Sequence, residues 1–119
     1  EHPVTECITG EDLVEWQIRI AAGETLPLRQ DQITCTGHAI EARVTAERAD
    51  EGFRPDTGLI RAWATPAGLR TDSGVAAGSV VSPHYDSLLA KVIAHGSDRA
   101  EAVRKLTDGL ERMAVLGGD

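Results

Sequence analysis

The chain has 119 residues, with twelve Lys and Arg against nineteen Asp and Glu and a net charge of −7 at pH 7. That length supports about one domain burying roughly two-thirds of its unfolded surface, and the acidic balance is the wrong sign for tracking a phosphate backbone, which excludes nucleic acid as a partner. Apolar runs such as SLLAKVIA fall far short of the roughly twenty residues needed to span a bilayer, and Lys91 interrupts that one, so a soluble chain with no membrane partner is expected.

The opening EHPVTE carries no sign of regular structure, and a first residue that is neither Met nor the remnant of a targeting peptide leads to the expectation of a fragment. TGEDLVEWQIRIAAGE reads as a helix, because Leu13, Val14, Trp16, Gln17, Ile18, Ile20 and Ala21 recur at three- and four-residue steps. Thr9 followed by Asp12 has the spacing of a capping box, and Gly23 suits the left-handed stop. GHAIEARVTAE alternates, placing His38, Ile40, Ala42, Val44 and Ala46 on one side and Ala39, Glu41, Arg43, Thr45 and Glu47 on the other, as in a strand with a charged face. Turn-forming residues separate it from GLIRAWAT, GLRTDSGV and a strand over Ser87 to Ala94. SDRAEAVRKLTDGLERMAVLGG predicts a final helix, capped by Ser97 or Asp98, with Val103, Leu106, Leu110 and Met113 facing a sheet. The fold class is therefore α+β, a small antiparallel β-sheet flanked by helices.

Chemistry-bearing patterns are sparse. The chain has no G-x-S-x-G, H-E-x-x-H or phosphate loop ending in Lys-Ser or Lys-Thr. His2, His38, His84 and His95 are too scattered for a metal site, so no metal is assigned. Cys7 and Cys35 lack CxxC spacing and read as reduced, partly buried thiols of an intracellular protein. Arg43 stands out, since an unpaired guanidinium is costly to bury. Glu41 shares its face and Asp86 heads a neighbouring strand, so the residues leave open a structural ion pair or an anion-binding role.

EHPVTE, ITGEDLVEWQIRIAAGE, GHAIEARVTAE, FRPDTGLI, DSGV and HYDSLLAKVI together resemble, in order and spacing, the carboxy-terminal third of biotin carboxylase, an ATP-grasp ligase. LVEWQIRIAAGE is similar to the biotin-containing subunits of acyl-CoA carboxylases of the methylcrotonyl or propionyl type. The resemblance implies a division into residues 1–36, the end of the ATP-grasp region with a leading helix left over from its core, and residues 37–119, the carboxylase C-terminal domain. It implies that Glu1 is the general base that deprotonates bicarbonate, and that Arg43 holds the ureido oxygen of biotin while negative charge develops there. Asp86 would orient Arg43, Glu41 would support it, and Tyr85 would pack. The parent would use ATP and Mg2+, with biotin on a carrier domain, through carboxyphosphate. Its partners would be the upstream ATP-grasp core, a biotin carboxyl carrier domain and a carboxyltransferase subunit, in a homodimer or larger assembly in the cytoplasm, or in the mitochondrial matrix of a eukaryote.

The family's phosphate-binding lysines, Gly-rich lid, acidic magnesium ligands and N-x-R residues belong upstream of Glu1, so this chain alone is expected to be inactive and to bind no cofactor. AERADEGFRP departs from the family's acidic-proline segment and leaves the local loop open. Two other readings remain: a noncatalytic subunit-interaction module, and another ATP-grasp ligase acting on a different nitrogen compound. Apolar residues around Trp16 and Ile20, without their covering core, are expected to drive self-association.

Overall fold

Alternating and periodic stretches become three α-helices and eight short strands in the structure, a computed structural model that describes residues 1–118. In chain order these are α1 (Pro3–Thr9), α2 (Leu13–Ala21), β1 (His38–Thr45), β2 (Glu47–Arg48), β3 (Arg54–Pro55), β4 (Gly58–Ala64), β5 (Arg70–Ser73), β6 (Val80–Val81), β7 (Leu88–Gly96), α3 (Arg99–Arg112) and β8 (Ala114–Gly117). Strands β1, β7 and β5 form an antiparallel sheet in that order, β6, β4 and β8 form another, and β2 pairs with β3. The architecture is the expected α+β one, although the strands divide among three small sheets.

The central strand β7 is buried at Leu89, Ala90, Val92, Ile93 and Ala94 because helices cover both of its faces. On one face Val92 and Ala94 pack with Leu106 of α3, and Ile40, Ala42 and Val44 of β1 join them, as the alternation in GHAIEARVTAE requires. The other face carries Ala39 and Ile93 toward α1. Thr71 lies opposite Val92 on the α3 side, and among the described residues its buried hydroxyl has no partner.

Helix α3 begins at Asp98, whose Oδ1 accepts from the Glu101 N–H at 2.8 Å. Glu101 reaches back one residue further than a standard capping box, accepting from the Ser97 N–H at 2.6 Å and its hydroxyl at 2.7 Å. These bonds, reinforced by Lys105, hold the Glu101 carboxyl down to about 2. The buried line of α3 is Ala102, Leu106 and Gly109, rotated from the expected stripe: Val103 and Leu110 are exposed. Gly109 permits a close approach, since a Cβ there would lie 2.3 Å from Leu69 Cδ1.

Three elements differ from the sequence reading. EHPVTE, expected to be irregular, contains the start of α1, which begins with Pro3 at the first helical position and is closed by Gly10 at φ 77°. The following helix starts at Leu13 rather than Thr9, because Asp12 Oδ1 caps the Glu15 N–H at 2.9 Å while Thr9 ends α1 and donates to the Thr5 carbonyl. The last helix stops at Arg112, and Ala114–Gly117, expected to continue it, pairs with β4. Cys7 is partly buried as expected, but Cys35 is exposed. No residue of α2 is buried, and its Val14, Ile18 and Ile20 stand exposed.

Candidate active site

The position of Glu1 follows from how α1 is anchored. Pro3 is buried, and Glu6 accepts from Arg70 Nη1 at 2.9 Å across to β5. Arg70 also grips Asp72, with Nε 2.9 Å from Oδ1 and Nη2 2.7 Å from Oδ2, a forked pairing suited to guanidinium and carboxylate planes. Exposed Glu1 thereby stands between two hollows of about 310 Å³ each. One is apolar and is lined from α2 by Leu13, Val14, Trp16 and Ile20. The other is lined by Asp72, Gly74, Leu88, Leu89, Ala90 and Lys91.

The Arg70 fork holds the Asp72 carboxyl below its ordinary value of 3.8, with smaller help from Arg70's charge and from Lys91, against the opposing effect of burial. A lowered folded-state value means that the contribution is present above pH 3.8 and is lost as pH falls through that lower value. Acidification below pH 3.8 is therefore expected to weaken the Arg70 end of β5, seen as faster amide hydrogen exchange in residues 70–73 than in β7. In Asp72→Asn that acid sensitivity should be reduced.

Across the sheet, register sets the remaining groups. Arg43 of β1, Lys91 of β7 and Asp72 of β5 are directly opposite one another and share a face, the face toward α1. Arg43 is exposed, and among the described residues no hydrogen bond or ion pair engages its guanidinium. The expected pairing with Glu41 is corrected: the Glu41 carboxylate lies 4.0 Å from Lys91 Nζ, and both side chains are mostly buried. The expected pairing with Asp86 is corrected too. Asp86 lies before β7 begins, well short of Lys91, the residue opposite Arg43, and its Oδ1 accepts from the Leu88 N–H at 3.1 Å as a turn former. Tyr85, expected to pack, is 88% exposed. Lys91 is the site residue that sequence reasoning passed over, and a lone cation inside an apolar strand was the available signal.

This arrangement can accept a proton at Glu1 and offer Arg43's unshared donors to a ligand oxygen. Among the described residues no group of three His, Cys, Asp or Glu could hold a metal ion, and no helix is long and apolar enough to cross a membrane.

Known proteins resemble the chain over nearly its whole length. The family model of the biotin carboxylase C-terminal domain matches residues 41–119, and that of the carbamoyl-phosphate synthase L chain ATP-binding domain matches residues 1–29. The chain belongs to the biotin carboxylase C-terminal domain family. Its relatives include the mitochondrial methylcrotonoyl-CoA carboxylase subunit alpha of Glycine max, 49% identical over 98% of this chain and 16% of the relative. A biotin carboxylase of Nostoc is 48% identical over 98% of this chain and 27% of its own length. Among solved structures, the biotin carboxylase domain dimer of Hydrogenobacter thermophilus 2-oxoglutarate carboxylase, in complex with MgADP, ADP and bicarbonate, superposes with a TM-score of 0.94. It is 42% identical, over 100% of this chain and 27% of that one. The chain thus spans between a sixth and about a quarter of the length of these relatives.

Proposed function

We propose that this chain is the C-terminal part of an ATP-dependent biotin carboxylase belonging to an acyl-CoA carboxylase, and that it carries two of the groups that act on the reactants. Glu1 accepts the proton of bicarbonate, and Arg43 donates to the ureido oxygen of biotin as the adjacent nitrogen loses its proton. One observation carries the reading: Glu1 and Lys91 line one hollow, and Arg43 stands beside Lys91 in the cross-strand row with its donors unshared among the described residues. A free, charged fork suits an oxygen that gains charge during reaction.

The described residues offer no donor set for magnesium, so no step through the nucleotide or its metal is assigned to them. When bound, ATP would supply the phosphoryl group that activates bicarbonate, and its binding falls to the upstream ATP-grasp core. In this reading residues 1–36 close that core and residues 37–119 form the C-terminal domain. The exposed apolar side of α2 is covered by the core, and a biotin carrier domain and a carboxyltransferase subunit complete the assembly, in the cytoplasm or the mitochondrial matrix. Glu41 and Asp86 act on the surroundings of Arg43 rather than as its direct partners.

The complete parent enzyme is expected to hydrolyse ATP in a bicarbonate-dependent manner that free biotin stimulates, and the 119-residue chain alone to show no such turnover. A parent whose ATP hydrolysis ignores biotin would sink the reading.

A further inference from the structure

Lys91 raises a question that the catalytic reading does not answer: why a lysine occupies the middle of the most deeply buried strand with a side chain only 14% exposed. Two carboxylates flank it. Asp72 stands directly opposite on β5, but both of its oxygens are held by Arg70. Glu41 of β1 is the other, and its carboxylate lies nearest Lys91, with its side chain 20% exposed.

Glu41 also lies two residues before Arg43 on the same strand face, about 7 Å along the backbone and within reach of a guanidinium. It has two cations to choose from, and the structure places it with Lys91 while Arg43 remains exposed without a partner among the described residues. Lys91, directly across from Arg43, adds like-charge repulsion that favours an outward guanidinium.

We propose that Lys91 is a positioning residue that sequesters Glu41 and so keeps the Arg43 fork free for the ureido oxygen, an inference that rests on the biotin carboxylase reading. Without the Lys91 charge, Glu41 turns to the remaining cation on its face. Arg43 is then closed by an internal pair, and a ligand must break that pair before it binds. This lowers the fraction of enzyme competent for biotin and raises the apparent KM, while turnover at saturation is retained.

The test uses the complete enzyme and the steady-state kinetics of biotin-dependent ATP hydrolysis. Lys91→Met is expected to raise the KM for free biotin about five-fold, the size of a partly exposed ion pair, with kcat retained. Lys91→Arg, which keeps the charge, should behave like the parent. The double variant Glu41→Gln/Lys91→Met should return KM to near the parent value, because the competing carboxylate is gone. If Lys91→Met lowers Tm enough to impair folding, Lys91→Gln carries the same measurement. An unchanged KM in Lys91→Met and Lys91→Gln, or a double variant no better than the single, overturns the proposal, since a merely structural lysine would not be rescued by deleting Glu41. Failure of the underlying reading has a separate signature: Arg43→Ala would then leave turnover intact.

Discussion

Replacing Glu1 by Gln in the complete enzyme is expected to lower bicarbonate-dependent turnover by about 10²–10⁴, the range that a positioned general base contributes. The amide keeps the size and hydrogen-bonding reach of the carboxylate but cannot take up a proton, so the variant isolates proton transfer from packing. The choice of residue rests on its placement. Glu1 is exposed at the mouth of two hollows, and the helix behind it is fixed by buried Pro3 and by the Glu6–Arg70 pair, so its carboxylate is presented from an anchored element. Steady-state rates with saturating ATP, biotin and bicarbonate check the prediction. A fall smaller than ten-fold, with the variant's Tm equal to the parent's, would remove Glu1 from the role of base and leave it as a wall of the hollow.

The parts of the fold that the sequence made legible are those where one period dominates. β1 was readable because a single sheet face meets α3, so Ile40, Ala42 and Val44 alternate cleanly with Glu41 and Arg43. β8 was not readable, because Leu110 and Met113 run on into Val115 and Leu116 without a stop signal, and only pairing with β4 turns Ala114–Gly117 into a strand. α1 is seven residues long, too short for a period to show, and gains its order from docking on the sheet. At the site, Arg43 could be singled out from its own strand, but its neighbours could not. Partner choice there depends on register, which puts Lys91 opposite Arg43 and leaves Asp86 in the turn before β7. Nothing in the order of residues encodes that alignment until the strands are paired.

Arg43→Ala in the complete enzyme is expected to reduce biotin-dependent turnover on the order of a hundredfold, the cost of deleting one donor to a developing oxyanion. The loss should fall on kcat as well as on kcat/KM, because the guanidinium matters most when charge reaches the ureido oxygen. This separates it from Lys91→Met, whose effect should lie in KM alone. Stability should change little: among the described residues Arg43 has no internal partner to lose, and its exposed position on an edge strand of the sheet leaves no buried cavity when it is shortened. Arg43→Lys keeps the charge but not the planar fork and should recover only part of the rate. Sedimentation of the variant should match the parent. Normal turnover in Arg43→Ala would instead favour the interaction-module reading, in which the charged face of β1 contacts another subunit and the chemistry lies wholly in the rest of the enzyme.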